Sequence, residues 1–299
     1  MADMARVLMV DLLVERETFG HGGNQEVVRP FAAAGDVELL LVTPQMQSFE
    51  AGKKAEAGEV PLSEEDVPHW DDDFPFWQST TVELEGRTVS FRRIVMPMVE
   101  NDSDMANWLD SIAVDAVVCS GSRRNVSMWE DWMAPTASLV RASANAGRPT
   151  LGICFGHQLL CHALGATIER ADSLSSGIWD LDFTEIGVDD ELLTSHVSND
   201  SCVAGLFTHQ DHVMSVPESC SLLCSTSHNG VTAVRVLSKD GEPLPSWGIQ
   251  FHPEAARARI ERAHEWGHIS DEELASFKGE HDGASILSSF AMVVGRYQA

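Results

Sequence analysis

The segment Gly152-Ile153-Cys154-Phe155-Gly156-His157-Gln158 sets a cysteine between two glycines, where an apolar strand-like run meets a helical one. Glycines on both sides of a nucleophile leave room for a sharp turn that makes the side chain protrude. The N–H of the following residue, at the start of a helix, can stabilise a thiolate and a developing oxyanion. The chemistry implied is acyl transfer through a cysteine thioester. Such a thiol needs a base to take its proton and an acidic partner to orient that base. Far downstream, Ser246-Trp247-Gly248-Ile249-Gln250-Phe251 reads as a short buried strand ending in His252-Pro253-Glu254. In a strand-like segment residues i and i+2 share a side, so Glu254 can brace the His252 imidazole. Pro253 is expected to end the strand.

These blocks resemble those of class I (triad) glutamine amidotransferases, most closely the free-standing subgroup similar to GMP synthase. Two further blocks carry the resemblance: Ala116-Val117-Val118-Cys119-Ser120-Gly121-Ser122 and Thr208-His209-Gln210-Asp211-His212-Val213. The four run in the family's order between about residues 116 and 254. The resemblance implies a three-layer αβα sandwich with a mainly parallel, flavodoxin-like sheet. It implies attack of Cys154 on the side-chain amide of glutamine, a γ-glutamyl thioester, and release of ammonia and glutamate. By the same match His252 is general base and acid, Glu254 the orienting carboxylate, and the N–H groups of Gly121 and Phe155 the oxyanion hole. Gln158, Gly230 and Val231 would hold the amino-acid end of the substrate. Two departures stand out. Gly121-Ser122-Arg123 replaces the usual Gly-Gly-Pro or Gly-Ser-Pro, and Leu164-Gly165-Ala166 replaces Leu-Gly-Gly. The first bears on substrate preference more than on the chemistry.

His209, near Asp211, is the rival base. His252 is preferred because its family match is tighter, leaving His209 to shape the pocket wall or pair structurally. His157, on the elbow helix, reads as a packing residue. His264-Glu265-Trp266-Gly267-His268 fits the zinc pattern of two imidazoles one helical turn apart. Gly267 weakens that helix and only His281 follows, so we expect no metal, and no cofactor. Glutamine is the expected substrate. A γ-glutamyl peptidase acting on small γ-glutamyl conjugates would use the same residues. A regulatory module without turnover is disfavoured because Cys154, His252 and Glu254 are all present.

The sequence has 299 residues, 43% of them hydrophobic, consistent with an ordinary globular core. The formal charge of −26 disfavours nucleic-acid binding. The lysines are Lys53, Lys54, Lys239 and Lys278. An acidic, lysine-poor surface suits a salt-rich environment, and ordinary colloidal solubility explains it equally well. No apolar run of membrane-spanning length occurs. Arg6–Val14 is expected to be a first strand and not a signal peptide. Cys119, Cys154, Cys161, Cys202, Cys220 and Cys224 form no Cys-x-x-Cys pair, which points to core thiols in a reducing cytoplasm. No synthetase domain or Ser-Gly-Gly-x-Asp loop is evident. Ammonia delivered to an acceptor would therefore need a synthetase chain as partner.

The rhythm of elements predicts a single amidotransferase-like domain over 1–299, with an insertion at about 45–90 and a helical extension at about 255–299. Val7–Val14 is a strand, Gly20-His21-Gly22-Gly23-Asn24 a β–α turn, Gln25–Ala34 a helix and Val37–Thr43 a strand. Trp70, Phe74, Phe76 and Trp77 mark the insertion. Thr80–Leu84 and Arg87–Val95 form a hairpin about Glu85-Gly86. Helices are expected at Asp104–Ile112, Met128–Ala144 with a break or fresh start at Pro135, Gly156–Leu164, Ala255–Trp266, Asp271–Lys278 and Ile286–Arg296, and an antiparallel extension near the sheet edge between about 180 and 250.

Overall fold

Fully apolar four-residue strands can be stable only where both sheet faces are covered. That condition organises the computed structural model, which describes residues 4–13, 17–47, 80–193, 203–265, 267 and 269–298. β1 (Ala5–Val10), β5 (Ala116–Cys119) and β6 (Thr150–Ile153) lie at the centre of a ten-stranded sheet. They run parallel with β4 (Arg87–Arg93), β2 (Val37–Val42) and β12 (Pro243–Ile249). β3 (Thr80–Leu84), β11 (Asn229–Leu237), β10 (Cys220–Thr226) and β8 (Asp182–Phe183) add antiparallel margins. The strand order is β3-β4-β2-β1-β5-β6-β12-β11-β10-β8. Glu85 and Gly86, with φ of 51° and 75°, close the β3–β4 hairpin as a primed turn that follows the strand twist. The hairpin thus extends the sheet edge. Residues 48–79, with the aromatic group at Trp70–Trp77, lie outside the described residues.

Alternation along β1 assigns the layers. Val7 and Met9 point to one face, where α1 (Glu17–Ala34) and α7 (Gly283–Tyr297) bring Val28, Phe31, Ile286 and Phe290. Leu8 and Val10 point to the other, packed against Met105 of α2 (Asp102–Ser111), Leu139 of α3 (Met133–Asn145) and Leu159 of α4 (Phe155–Ala163). The result is the expected three-layer α/β arrangement with a mostly parallel sheet. The C-terminal helix is one of its covering elements. Among the described residues no helix is long and apolar enough to cross a membrane.

Three expectations are corrected. The glycine-rich stretch 20–24 belongs to α1. A Cβ on Gly20 would sit 2.8 Å from the Leu13 carbonyl oxygen, and Cβ atoms on Gly22 and Gly23 would sit 3.2 and 3.1 Å from the Arg259 guanidinium. The glycines serve close packing on the helix, which overrides their low helix propensity. α3 starts at Met133 and not Met128, because Pro135 lacks a donor N–H and fits only the first helical turn. Finally, the antiparallel strands expected between about 180 and 250 do not all extend the main sheet. β9 (Ala204–Val213) pairs with β7 (Ile168–Asp180) as a separate antiparallel ribbon. Two short helices, α5 (Arg257–Glu265) and α6 (Asp271–Ser276), follow; Ser270 and Glu273 form a capping box on α6.

Candidate active site

Cys154 stands between β6 and α4 with φ 49° and ψ −98°. A non-glycine residue in such a region costs about 1–3 kcal/mol and persists only where its surroundings hold it. The flanking glycines explain how. A Cβ on Gly152 would lie 2.5 Å from the Gly156 carbonyl oxygen, and one on Gly156 would lie 2.2 Å from the Cys119 carbonyl oxygen. Strand, turn and helix start therefore cross at backbone contact. Gly156→Ala is expected to lower stability by about 3 kcal/mol, because its obstacle is a main-chain oxygen that cannot swing aside. In a thermal melt this corresponds to a fall of roughly 5–10 °C; an unchanged midpoint would show that the elbow tolerates a methyl group.

The second group arrives from the end of β12, and here the sequence expectation is corrected. The strand stops at Ile249, so His252 and Glu254 lie in the following turn and not on strand. Gln250 N–H donates to Thr232 O at 2.8 Å and His252 N–H to Leu206 O at 2.7 Å, which draws the chain off the sheet toward β9. Pro253 then turns it so that Glu254 Oε1 meets His252 Nδ1 at 2.9 Å. The turn brings imidazole and sulfur to the same cavity of ≈ 340 Å³, with Glu254 in its wall. Gly121 measures their approach: a Cβ there would be 2.8 Å from His252 Cε1 and 3.7 Å from Cys154 Cβ.

The electrostatics follow from burial and pairing. Burial alone would depress the His252 pKa, but the attraction of Cys154 and Glu254 outweighs it and holds it well above the ordinary value. Burial would raise Glu254, yet the His252 charge and then Arg259 bring its carboxyl below the usual range. Arg259 Nη1 donates to the Glu254 carbonyl oxygen at 2.7 Å, from a guanidinium resting on Gly22 and Gly23. His252 Nε2 makes no hydrogen bond among the described residues, so the nitrogen opposite the carboxylate is uncommitted. The Gly121 and Phe155 N–H groups likewise donate to no other described backbone atom.

The remaining predicted residues divide. Gln158 reaches the cavity, but its Nε2 donates to Asp211 O at 2.9 Å and to Gln250 Oε1 at 3.2 Å. His209 also lines the cavity. Its Nδ1 bonds the backbone oxygen of Asp211 at 3.0 Å, and burial pushes its pKa down to about 3. The Asp211 carboxylate accepts from Ser127 N–H and Oγ at 2.8 and 2.7 Å, so the rival histidine–carboxylate dyad does not form. Gly230 and Val231 are not brought to this cavity. They line a different one with His212 and His228, and Val231 O pairs with His157 Nε2 at 3.1 Å. They sit on β11, an antiparallel strand whose path local sequence does not specify. His157 is fully buried, with a pKa lowered by burial to about 4. His264 Nε2 meets Asp271 Oδ1 at 2.7 Å, and its proposed metal partner His268 lies outside the described residues.

Two contributors escaped sequence reasoning. Gln250 Nε2 lies 3.5 Å from Cys154 Sγ as a donor to the sulfur; its signal was a polar residue inside the apolar run Trp247–Phe251. Arg259 gave no recognisable signal, because its bond is to the main-chain oxygen of Glu254, which no side-chain motif marks. Together the groups offer a nucleophilic sulfur, a proton-transferring imidazole braced by a carboxylate, and two N–H donors. That set suits acyl transfer from an amide.

A family model described as glutamine amidotransferase class-I matches residues 80–263. The chain is 34% identical over 113 residues to a glutamine-hydrolyzing GMP synthase subunit from Methanocaldococcus jannaschii, covering 38% of this chain and 54% of that one. It is 28% identical over 173 residues to gamma-glutamyl peptidase 3 of Arabidopsis thaliana, covering 57% and 64%. With GMP synthase (glutamine-hydrolyzing) of Clostridium kluyveri it shares 33% identity over 108 residues, 36% of this chain but 19% of the relative's length. Each match thus spans less than two thirds of the relative. Among solved structures, a glutamine amidotransferase from Thermotoga maritima superposes with a TM-score of 0.57, covering 98% of this chain and 99% of that one at 14% identity. That likeness establishes the fold.

Proposed function

The chain belongs to the class I glutamine amidotransferase family, and on that premise we propose that it hydrolyses the γ-glutamyl amide of glutamine. The observation that carries this reading is the cavity shared by Cys154, His252 and Glu254, with His252 Nδ1 bound to the carboxylate at 2.9 Å. Cys154 gives its thiol proton to His252 as Sγ attacks the amide carbon, and the carbonyl oxygen takes the electron pair as an oxyanion beside the Gly121 and Phe155 N–H groups. The C–N bond breaks as His252 gives its proton to the leaving nitrogen, releasing ammonia and leaving a γ-glutamyl thioester. Water, losing its proton to His252, then attacks the thioester carbon. The C–S bond breaks, glutamate leaves and the thiolate returns. Gln250 Nε2 stands 3.5 Å from that sulfur as a donor. Where the ammonia is used, a synthetase chain receives it.

A second reading, cleavage of small γ-glutamyl conjugates, is favoured by the longer alignment with the plant gamma-glutamyl peptidase. Both predict the same covalent intermediate. Protein quenched during turnover of glutamine is expected to carry one glutamyl mass on the peptide containing Cys154, with ammonia and glutamate formed in equal amounts. Ammonia release without that adduct, in a variant slow enough to trap it, would refute the thioester route.

A further inference from the structure

Besides Cys154, His252 and Glu254, the cavity is lined by both cationic and apolar side chains. The loop leaving Gly121 brings Arg123 and Arg124, and β7 brings Arg170. Such a concentration is unexpected in a chain of formal charge −26. The acids of the same wall are already engaged. Asp211 is held by Ser127, Glu254 by His252, and the Glu273 carboxylate by Ser270 N–H and Oγ at the cap of α6. Arg170 is braced by Gln210 Oε1 at 2.7 Å, and Arg124 stands 3.6 Å from Glu130. Arg123 is exposed and makes no hydrogen bond or ion pair among the described residues. Apolar side chains line the cavity as well. Leu206, Ile260 and Phe277 form a small core of their own that opens on the cavity, with Ile269 beside them.

We propose that these residues form a subsite for the amine part of the substrate, and that it takes an apolar α-amino acid whose free carboxylate faces Arg123 and Arg124. The inference rests on the γ-glutamyl hydrolysis proposed above and names its preferred substrate class: γ-glutamyl dipeptides with an apolar C-terminal residue. Hydrolysis consumes one water and yields glutamate and the free apolar amino acid, whose nitrogen takes its proton from His252. A cavity of ≈ 340 Å³ is within the usual range for small-molecule sites. Glutamine leaves this subsite empty, so a carboxylate bound there adds affinity by a charge-assisted bond, roughly tenfold or more in kcat/KM.

The test compares glutamine, γ-glutamyl-leucine and γ-glutamyl-leucinamide with wild type, Arg123→Ala and Arg123→Lys. Wild type is expected to favour γ-glutamyl-leucine over the capped amide by roughly tenfold. Arg123→Ala should bring those two within about twofold, while Arg123→Lys, which keeps the charge, retains most of the difference. Equal losses on all three compounds in Arg123→Ala would overturn the proposal, because the arginine would then be reading the glutamyl end or the loop's shape. So would a wild-type enzyme indifferent to the leucine carboxylate while cleaving glutamine well. If none of the three is cleaved and Cys154 gains no glutamyl mass, the γ-glutamyl reading itself falls, and the subsite with it.

Discussion

Cys154→Ala is expected to lower kcat/KM for glutamine by about four orders of magnitude or more, because the covalent route disappears and only binding and the oxyanion donors remain. Alanine retains the backbone conformation imposed by Gly152 and Gly156, so the melting profile should stay near that of the parent chain. The same substitution should abolish labelling by an electrophilic glutamine analogue, read as the absence of the adduct mass on the peptide 150–163. His252 would remain paired with Glu254, which separates loss of the nucleophile from loss of the site. Residual turnover within about a hundredfold of wild type would mean that another group attacks. Cys161 and Cys119 are poor substitutes: burial pushes the Cys161 thiol well up and the Cys119 thiol to about 12.

Glu254→Gln should reduce kcat by roughly 10²–10⁴ and move the alkaline limb of the pH profile to lower pH. The carboxylate does two things for His252: it fixes the ring through Nδ1 and helps raise the ring's pKa against burial. An amide supplies no charge and can present its NH₂ to Nδ1, which favours the wrong tautomer. The direction of each shift fixes the signs. His252, raised in the fold, adds stability that is complete below its ordinary pKa of 6.5 and is lost as pH climbs through the folded value. Glu254, depressed in the fold, adds stability present above its ordinary 4.5 and lost as pH drops through the lower folded value. Wild-type activity is therefore expected to persist on the alkaline side of an ordinary histidine titration and on the acid side of an ordinary carboxylate titration. An alkaline limb that stays in place in Glu254→Gln would remove the carboxylate from the proton-transfer chain.

Much of the local architecture was readable from residue order. β5 and the β3–β4 hairpin fall where apolar runs and the Glu85-Gly86 turn place them, and the elbow flanked by β6 and α4 deviates by a residue or two at its ends. These elements are specified by burial on two faces, by turn chemistry, and by glycines with a backbone neighbour to admit. The misreadings have a common origin. Gly20–Asn24 looked like a turn because helix propensity is a local quantity, whereas Leu13 and Arg259 are brought to those glycines by packing. Gly230 and Val231 were assigned to the substrate by motif, but β11 pairs so that they open on another cavity.

Residue order specifies the reactive types, their succession along the chain and the strained elbow that exposes a sulfur, since each depends on neighbours a few positions away. The partnerships were settled by long-range assembly. The parallel register of β6 against β12 carries the turn bearing His252 alongside Cys154, and the packing of α5 on α1 seats the Arg259 guanidinium against Gly22 and Gly23. The ribbon of β7 and β9 adds to the cavity wall and is tied to the segment after the arginine loop through Ser127 and Asp211. Those distances are sums over the whole packed core, so no short window of sequence contains them.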